Sequence, residues 1–484
     1  MTDGITQAAQ ILLCGVGPLP FGDTDKLYAP GLRVLSFARA LLDADCGLDI
    51  LEVDFGRAKE GGLARMHRVW LDDDPDAPDD GGTYAGICAQ SRDMASGQPV
   101  ELVRQALEAQ PYRAIVSTTD VMNDACARAC DKLPLWCDFN GWPMAERQAM
   151  AAVYDSDGGL ADQWDYVLAT LLRGDQFSTC SSRQRPTLLG ELAACGRLNK
   201  HTNAVELVHP MHPAVIHEKF EAKSRAFRGT ETPDDAFVVL WTGGYNTWAD
   251  VDTLADALLL AMEEAPDMHY LSTGGAIAGH DDRSFERFQK RVAQSRFADR
   301  FHFVGWVPTA EVPNYYLEAD VAVNCDRMNL DSETGCRNRI MDWVAAELPV
   351  VSTEVCELVV ELKAFGLIDA CVPDSVGALS QQLLEVYHRS PEERRIKARQ
   401  ARDYLLRSFD RRVRYAALCE WAKHPRRAPD FQKPANPIPG IPFDTPDNPL
   451  ALRRALEWRS VFHPEFKEAE PAGLWERLKR RLKG

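Results

Sequence analysis

Short apolar runs that break at glycine and give way to amphipathic helices recur along the chain, and that alternation admits few folds. Residues 11–16 open onto Gly17, residues 236–241 onto Gly243 and Gly244, and residues 269–273 onto Gly274 and Gly275. Runs of this length and apolarity read as strands buried on both faces, and helical crossovers between them imply parallel pairing. At 484 residues the chain exceeds what one hydrophobic core supports. The predicted fold class is α/β, with two Rossmann-like, doubly wound parallel-sheet domains. Domain boundaries fall at 1–208 and 236–425. A linker at 209–235 holds Pro210 and Pro213, and residues 426–484 form a final segment.

In the first domain the pattern predicts a helix over 31–42 and strands over 48–53, 114–117 and 135–141. Further helices are predicted over 100–110, 123–132, 166–180 and 182–197, the last two around a short strand, and residues 205–208 close the domain. Between 57 and 99 the periodicity fades, and the acidic, breaker-rich stretch 72–82 predicts a solvated loop. Polar residues just past strand ends line the cleft of a parallel sheet. That rule selects Thr118, Thr119, Asp120, Asp138 and Asn140, and Arg33 stands just inside the first helix where it could meet an anion. An exposed guanidinium is the alternative for Arg33, and a turn or cap role for Asp138. The glycines after residue 16 lack the spacing of a dinucleotide fingerprint.

Residues 331–351 are the most informative stretch. A polar loop with Gly335 leads into a helix from Arg337, and Pro349 ends that helix before the β-branched run 350–353. Helical spacing puts Ile340, Met341, Val344 and Leu348 on an apolar face, opposite Gly335, Asn338, Arg339 and Asp342. Arg337 and Arg339 thus stand at a helix amino end, which favours anions, and their forked guanidinium groups suit phosphate oxygens. Asp342, a turn further on, can accept hydrogen bonds from a ribose diol. A surface helix with an Arg/Asp ion pair is the alternative. The turn Gly243-Gly244 between a strand and a helix reads as a second anion cradle.

Composition narrows the function. A net charge of −17 opposes general nucleic-acid binding. The 13 cysteines are odd in number and lack a CxxC pair or a completed zinc cluster, so reduced thiols in a cytoplasm are expected, and no metal site. No apolar run reaches membrane-spanning length.

Residues 303–308 with Tyr315, Tyr316 and 319–321 resemble the "G-x-V … yy-x-x-a-D-v" segment of retaining glycosyltransferases of family four, the group 1 transferases. Residues 331–351 resemble that family's "E-G … E-A-x-A-x-G-x-P-V-V" segment. The likeness covers 236–425 well and the amino-terminal half mainly in element order. It implies the GT-B fold, two domains facing across a cleft, and metal-independent transfer of a sugar from a nucleotide diphosphate sugar with retention of configuration. The nucleotide sugar is a co-substrate, and no other cofactor is implied.

Carried over by position, Asp342 takes the ribose and Glu333 the carboxylate place beside the donor sugar. The loop of Gly243, Gly244, Asn246 and Thr247 faces the diphosphate, with Asn338 on the helix opposite. Trp306 and Val307 frame the nucleobase. That loop lacks the family's basic residues, so Arg337 and Arg339 are expected to neutralise the leaving group, with Arg339 and Glu333 in catalytic roles. The family's amino-terminal His is also missing, which leaves Asp138 or Asp120 for its place, and Gly17, Arg33, Asp120 and Asn140 for the acceptor.

The tail suggests where an acceptor is found. Residues 426–446 are proline-rich and read as an extended strap. Residues 474–483 set Leu474, Leu478 and Leu482 on one face amid basic residues. Such a helix suits an anionic membrane carrying a lipid-linked glycan, or the protein's own acidic surface. The expected protein is cytoplasmic, peripheral on the inner membrane face if the tail binds there. Two rivals are a nucleotide-sugar epimerase on this scaffold and a catalytically silent nucleotide-binding scaffold.

Overall fold

The computed structural model describes residues 10–21, 27–55, 63–78, 82–94, 97–215, 220–277 and 281–431. The 474–483 helix and most of the 426–446 strap lie outside these residues.

The first sheet contains β1 (Ile11–Val16), β2 (Leu48–Asp54), β3 (Leu63–Leu71), β4 (Gly82–Tyr84), β5 (Ile87–Asp93), β6 (Ala114–Thr118), β7 (Leu135–Phe139), β8 (Gln176–Thr179) and β9 (Val208–Pro210). Its order is β4-β5-β3-β2-β1-β6-β7-β8-β9. From β2 to β9 all pairings are parallel, with Ile11 opposite Leu48 on one side and Ala114 on the other. Successive residues of β1 feed different cores, Leu12 and Cys14 on one face and Ile11 and Leu13 on the other, as the pleat requires.

β3, β4 and β5 extend the sheet antiparallel, where the sequence predicts only a fading pattern and a loop. Cross-strand ion pairs there replace apolar alternation. Arg65 meets Asp93 at 2.9 Å, and Arg68 pairs with Asp49. Residues 72–78 between β3 and β4 are turns, as their acidity suggests. The helices predicted over 166–180 and 182–197 run over Leu160–Arg173 and Arg185–Ala194, with β8 as the short strand expected between them. A further helix, Pro143–Tyr154, starts on a proline at its first position, where the missing N–H costs nothing.

The second sheet is wholly parallel: β10 (Phe237–Trp241), β11 (Met268–Thr273), β12 (Phe301–Gly305), β13 (Val321–Asn324), β14 (Val350–Thr353) and β15 (Asp369–Cys371). Its order is β12-β11-β10-β13-β14-β15, so the winding reverses between β10 and β13. Asp250 caps the Val251–Glu264 helix by accepting from the Thr253 N–H at 3.3 Å. The loop expected at 333–335 holds a short helix, Leu330–Thr334, capped by Asn329. Arg337 is the residue before the Asn338–Ala345 helix.

Contacts join the domains around the cleft. The Tyr154 hydroxyl bonds Asp282 at 3.0 Å, the Ser182 N–H donates to Glu357 at 2.7 Å, and Ser181 donates to the Thr334 carbonyl. None of the 13 cysteines is in a disulfide. Among the described residues no helix is long and apolar enough to cross a membrane.

Candidate active site

The carboxyl ends of β1 and β6 in one sheet and of β10 and β11 in the other open onto a shared cavity of ≈ 760 Å³. Its second-domain wall is built from glycine loops that interlock. Gly274 has φ +91°, and a Cβ there would lie 2.2 Å from the Gly243 carbonyl oxygen. Only glycine allows that approach. The Gly243 N–H donates to Thr273 (3.1 Å) and the Tyr245 N–H to Gly275 (3.1 Å). The Gly243 amide is therefore not available to an anion, which removes one of the two amides of the double-glycine cradle read from sequence.

The positive charge comes from the Asn338–Ala345 helix instead. Arg337 donates from Nε to Asp326 at 2.9 Å, and its guanidinium lies 4.4 Å from the Trp248 ring centre. Arg339 donates to the Gly244 carbonyl at 2.9 Å and sits 4.3 Å and 4.7 Å from the rings of Trp241 and Trp248. Arg337 Nη2 and Arg339 Nη1 are buried and have no partner. Two desolvated guanidinium groups held by aromatic faces, each with an unspent donor, form a site for an anion. Burial lowers the Arg339 pKa to about 10, against the pull of Asp326 and with a push from Arg337. Burial works against the Arg337 charge too, but Asp326 and Asp331 more than restore it.

Beside them Asp342 lines the same cavity, and burial pushes its carboxyl up to about 7. Trp306 and Val307 form a slot with Tyr316. The Trp306 indole donates to the Ala276 carbonyl (3.4 Å), and Tyr28 of the first domain meets it edge-on at 5.6 Å.

Residues 236–389, which carry all of this wall, match the family model of glycosyl transferases group 1. The fold is that of sucrose-phosphate synthase from Thermosynechococcus elongatus: TM-score 0.60, 16% identity, over 86% of this chain and 98% of that one. It is also that of TarM (TM-score 0.55, 10% identity, 86% and 99%). Alr3699/HepE of Anabaena, solved with UDP and glucose, agrees as well (TM-score 0.54, 12% identity, 86% and 99%). No curated protein sequence matches the chain.

The chain has the GT-B fold, and its second domain resembles group 1 glycosyl transferases.

The cavity brings together Gly17, Asp120, Asn140, Gly243, Gly244, Asn246, Trp306, Val307, Arg337, Asn338, Arg339 and Asp342, all lining it as expected from sequence. Five expected residues lie elsewhere, the first of them Thr118, which is fully buried at the end of β6. Arg33 and Asp138 form a buried bidentate pair at 2.9 Å and 2.7 Å, and Ser178 donates to the same carboxylate at 2.6 Å. The acceptor role for Arg33 and the catalytic role for Asp138 are thereby corrected: each satisfies the other beneath the cavity floor. Thr247 is buried and donates its N–H to Asn246 Oδ1 at 2.6 Å, so it orients Asn246 rather than meeting a ligand. Glu333 is exposed and does not line the cavity. The Leu330–Thr334 helix turns it outward and turns Asp331 inward, a reversal that a loop reading of this stretch cannot foresee.

The site also uses residues that sequence reasoning passed over. Trp241 and Trp248 read as core aromatics until the guanidinium groups stack on them. Asp326 follows β13, and the strand-end rule does single out that position. Asp331 and Glu146 line the cavity from opposite domains. Among the described residues no group of three or more His, Cys, Asp or Glu is placed to hold a metal.

Proposed function

We propose that the protein transfers a sugar from a nucleotide diphosphate sugar to a glycan or lipid-linked acceptor, with retention of anomeric configuration. The observation that carries this reading is the pair of unpartnered, buried guanidinium donors, Arg337 Nη2 and Arg339 Nη1, at the winding reversal of the second sheet. A leaving diphosphate is stabilised there by charge already oriented before reaction. Asp342 accepts from the ribose diol and the Trp306 slot takes the base. Alr3699/HepE, which was solved with UDP, supports a uridine nucleotide as the first donor to test.

The bond from the anomeric carbon to the diphosphate oxygen breaks while the acceptor oxygen bonds the same carbon on the same face. The acceptor's proton passes to the departing phosphate oxygen, so no protein nucleophile is required. Because two arginines supply the neutralising charge, activity is expected to survive EDTA.

Calorimetric titration with UDP and with GDP tests the reading. Micromolar binding of one nucleotide, lost in Arg339→Ala and in Asp342→Ala, is the expected outcome. Loss of either group costs about 1.5–3 kcal/mol, or tenfold and more in affinity. Absence of binding to both nucleotides would favour a silent scaffold.

A further inference from the structure

Two carboxyl groups face the cavity from opposite domains, and the donor site accounts for neither. Glu146 stands in the first turn of the Pro143–Tyr154 helix, and Asp331 in the first turn of the Leu330–Thr334 helix. These two helices pack against each other, and both side chains line the cavity. Asp331 is 9% exposed, yet its Oδ2 atom has no hydrogen-bond partner. A buried carboxylate oxygen left unsatisfied costs stability unless something bound supplies the missing donor. Arg337, whose Nη2 is likewise unspent, interacts electrostatically with Asp331. The unfilled acceptor therefore adjoins the diphosphate site, where the transferred sugar has to lie.

Resting on the donor reading above, we propose that Asp331 and Glu146 form a clamp for neutral sugar hydroxyls across the new bond. Asp331 holds a hydroxyl of the transferred sugar, and Glu146 orients the attacking hydroxyl of the acceptor.

The protonation of Glu146 sharpens its role. Burial, then Asp331, then Asp120 push its carboxyl up to about 8, opposed by the neighbouring Arg147. Burial also raises Asp331, against Arg337 and with Asp326. These are the charged groups facing the pair: Asp120 from the Asp120–Ala129 helix, Arg147 from Glu146's own helix, Asp326 after β13, and Arg337 before the Asn338–Ala345 helix. At neutral pH Glu146 is a neutral carboxyl able both to donate to and to accept from a hydroxyl. It positions the acceptor and is not its base, in keeping with a reaction whose proton leaves on the phosphate. As pH rises through 8 the proton is lost, two carboxylates face one another across the cleft, and the clamp fails.

The test is hydrolysis of UDP- and GDP-hexoses, with water as the attacking hydroxyl, followed by nucleotide release from pH 6.5 to 9.5. Nucleotide affinity is measured alongside by calorimetry. Wild type is expected to lose activity above pH 8. Glu146→Ala should cut kcat about tenfold or more. Glu146→Gln, which copies the neutral carboxyl, should stay within about threefold of wild type at pH 7 and lose the alkaline limb. Asp331→Asn should weaken nucleotide-sugar binding while leaving free nucleotide binding unchanged. If Glu146→Gln is as damaged as Glu146→Ala, or the alkaline limb persists in it, the clamp is overturned while the donor site stands. If wild type binds neither UDP nor GDP, the donor reading falls, and the clamp with it.

Discussion

Asp342 shows how much chemistry a single placement can carry. Burial lifts its carboxyl to about 7, so near neutrality it is divided between two forms. A ribose diol donates its hydroxyl hydrogens and prefers the ionised form. Nucleotide-sugar affinity should therefore rise as pH climbs through 7. Between pH 6 and pH 8 the ionised fraction grows from roughly a tenth to roughly nine tenths, which predicts about a tenfold fall in Kd. UDP-glucose is the appropriate probe, because its diphosphate does not titrate in that range. Asp342→Asn should bind more weakly at pH 8 and show a flat profile, and a slope surviving in that variant would assign the effect elsewhere. Asp342 and Arg339 were legible in the sequence because helical spacing puts them on one face, and Arg337 because it stands at that helix's start. Asp138 satisfied the strand-end rule and Arg33 stood just inside a helix, yet each neutralises the other in the core. Whether a charged pair meets a ligand or itself depends on tertiary distance, which no local pattern encodes.

At the scale of elements, the second domain was read almost strand for strand, because parallel strands buried on both faces are continuously apolar. The antiparallel extension β3–β5 was missed since its strands alternate with charges paired across the sheet. β15 and the Glu357–Ala364 helix are short and were also passed over. Pro349 was rightly read as a stop signal, but the Asn338–Ala345 helix ends before it. The Leu348 N–H bonds the Trp343 carbonyl at 2.9 Å and the Glu347 N–H that of Val344 at 3.1 Å. This is a Schellman turn, which places Glu347 at φ +57° where glycine is the usual occupant. Holding an L side chain there costs about 1 kcal/mol. Arg399 and Arg402 lie 3.8 Å and 3.9 Å from its carboxylate, too far for strong pairs. Glu347→Gly should accordingly raise the melting temperature by about 2 °C, with nucleotide affinity unaltered. A fall in melting temperature would mean that the two long pairs outweigh the backbone strain.

The whole molecule is tied together where the chain crosses twice between domains. After the Pro391–Ser408 helix, Phe409 packs in the second domain's core, and the helices Arg411–Arg414 and Ala416–Lys423 then lie on the first domain. Tyr415, Leu418 and Trp421 join the core on one face of the first sheet and Ala428 the core on the other. Asp430 grips Arg197 in a buried bidentate pair at 2.7 Å and 3.0 Å. The outgoing crossing is bonded to the return one: the Val215 N–H donates to the Phe409 carbonyl at 3.3 Å, and the Ala214 N–H to the Tyr415 hydroxyl at 3.0 Å. The same hydroxyl accepts from Arg33 at 3.4 Å, so it also steadies the buried Arg33–Asp138 pair. Tyr415→Phe keeps the ring in the core but strands both donors. That should cost about 1–3 kcal/mol, read as a lower urea midpoint. Since Tyr415 does not line the cavity, UDP affinity should hold within about twofold. A variant that kept its stability but lost nucleotide binding would show instead that the paired crossings set how far the cleft closes.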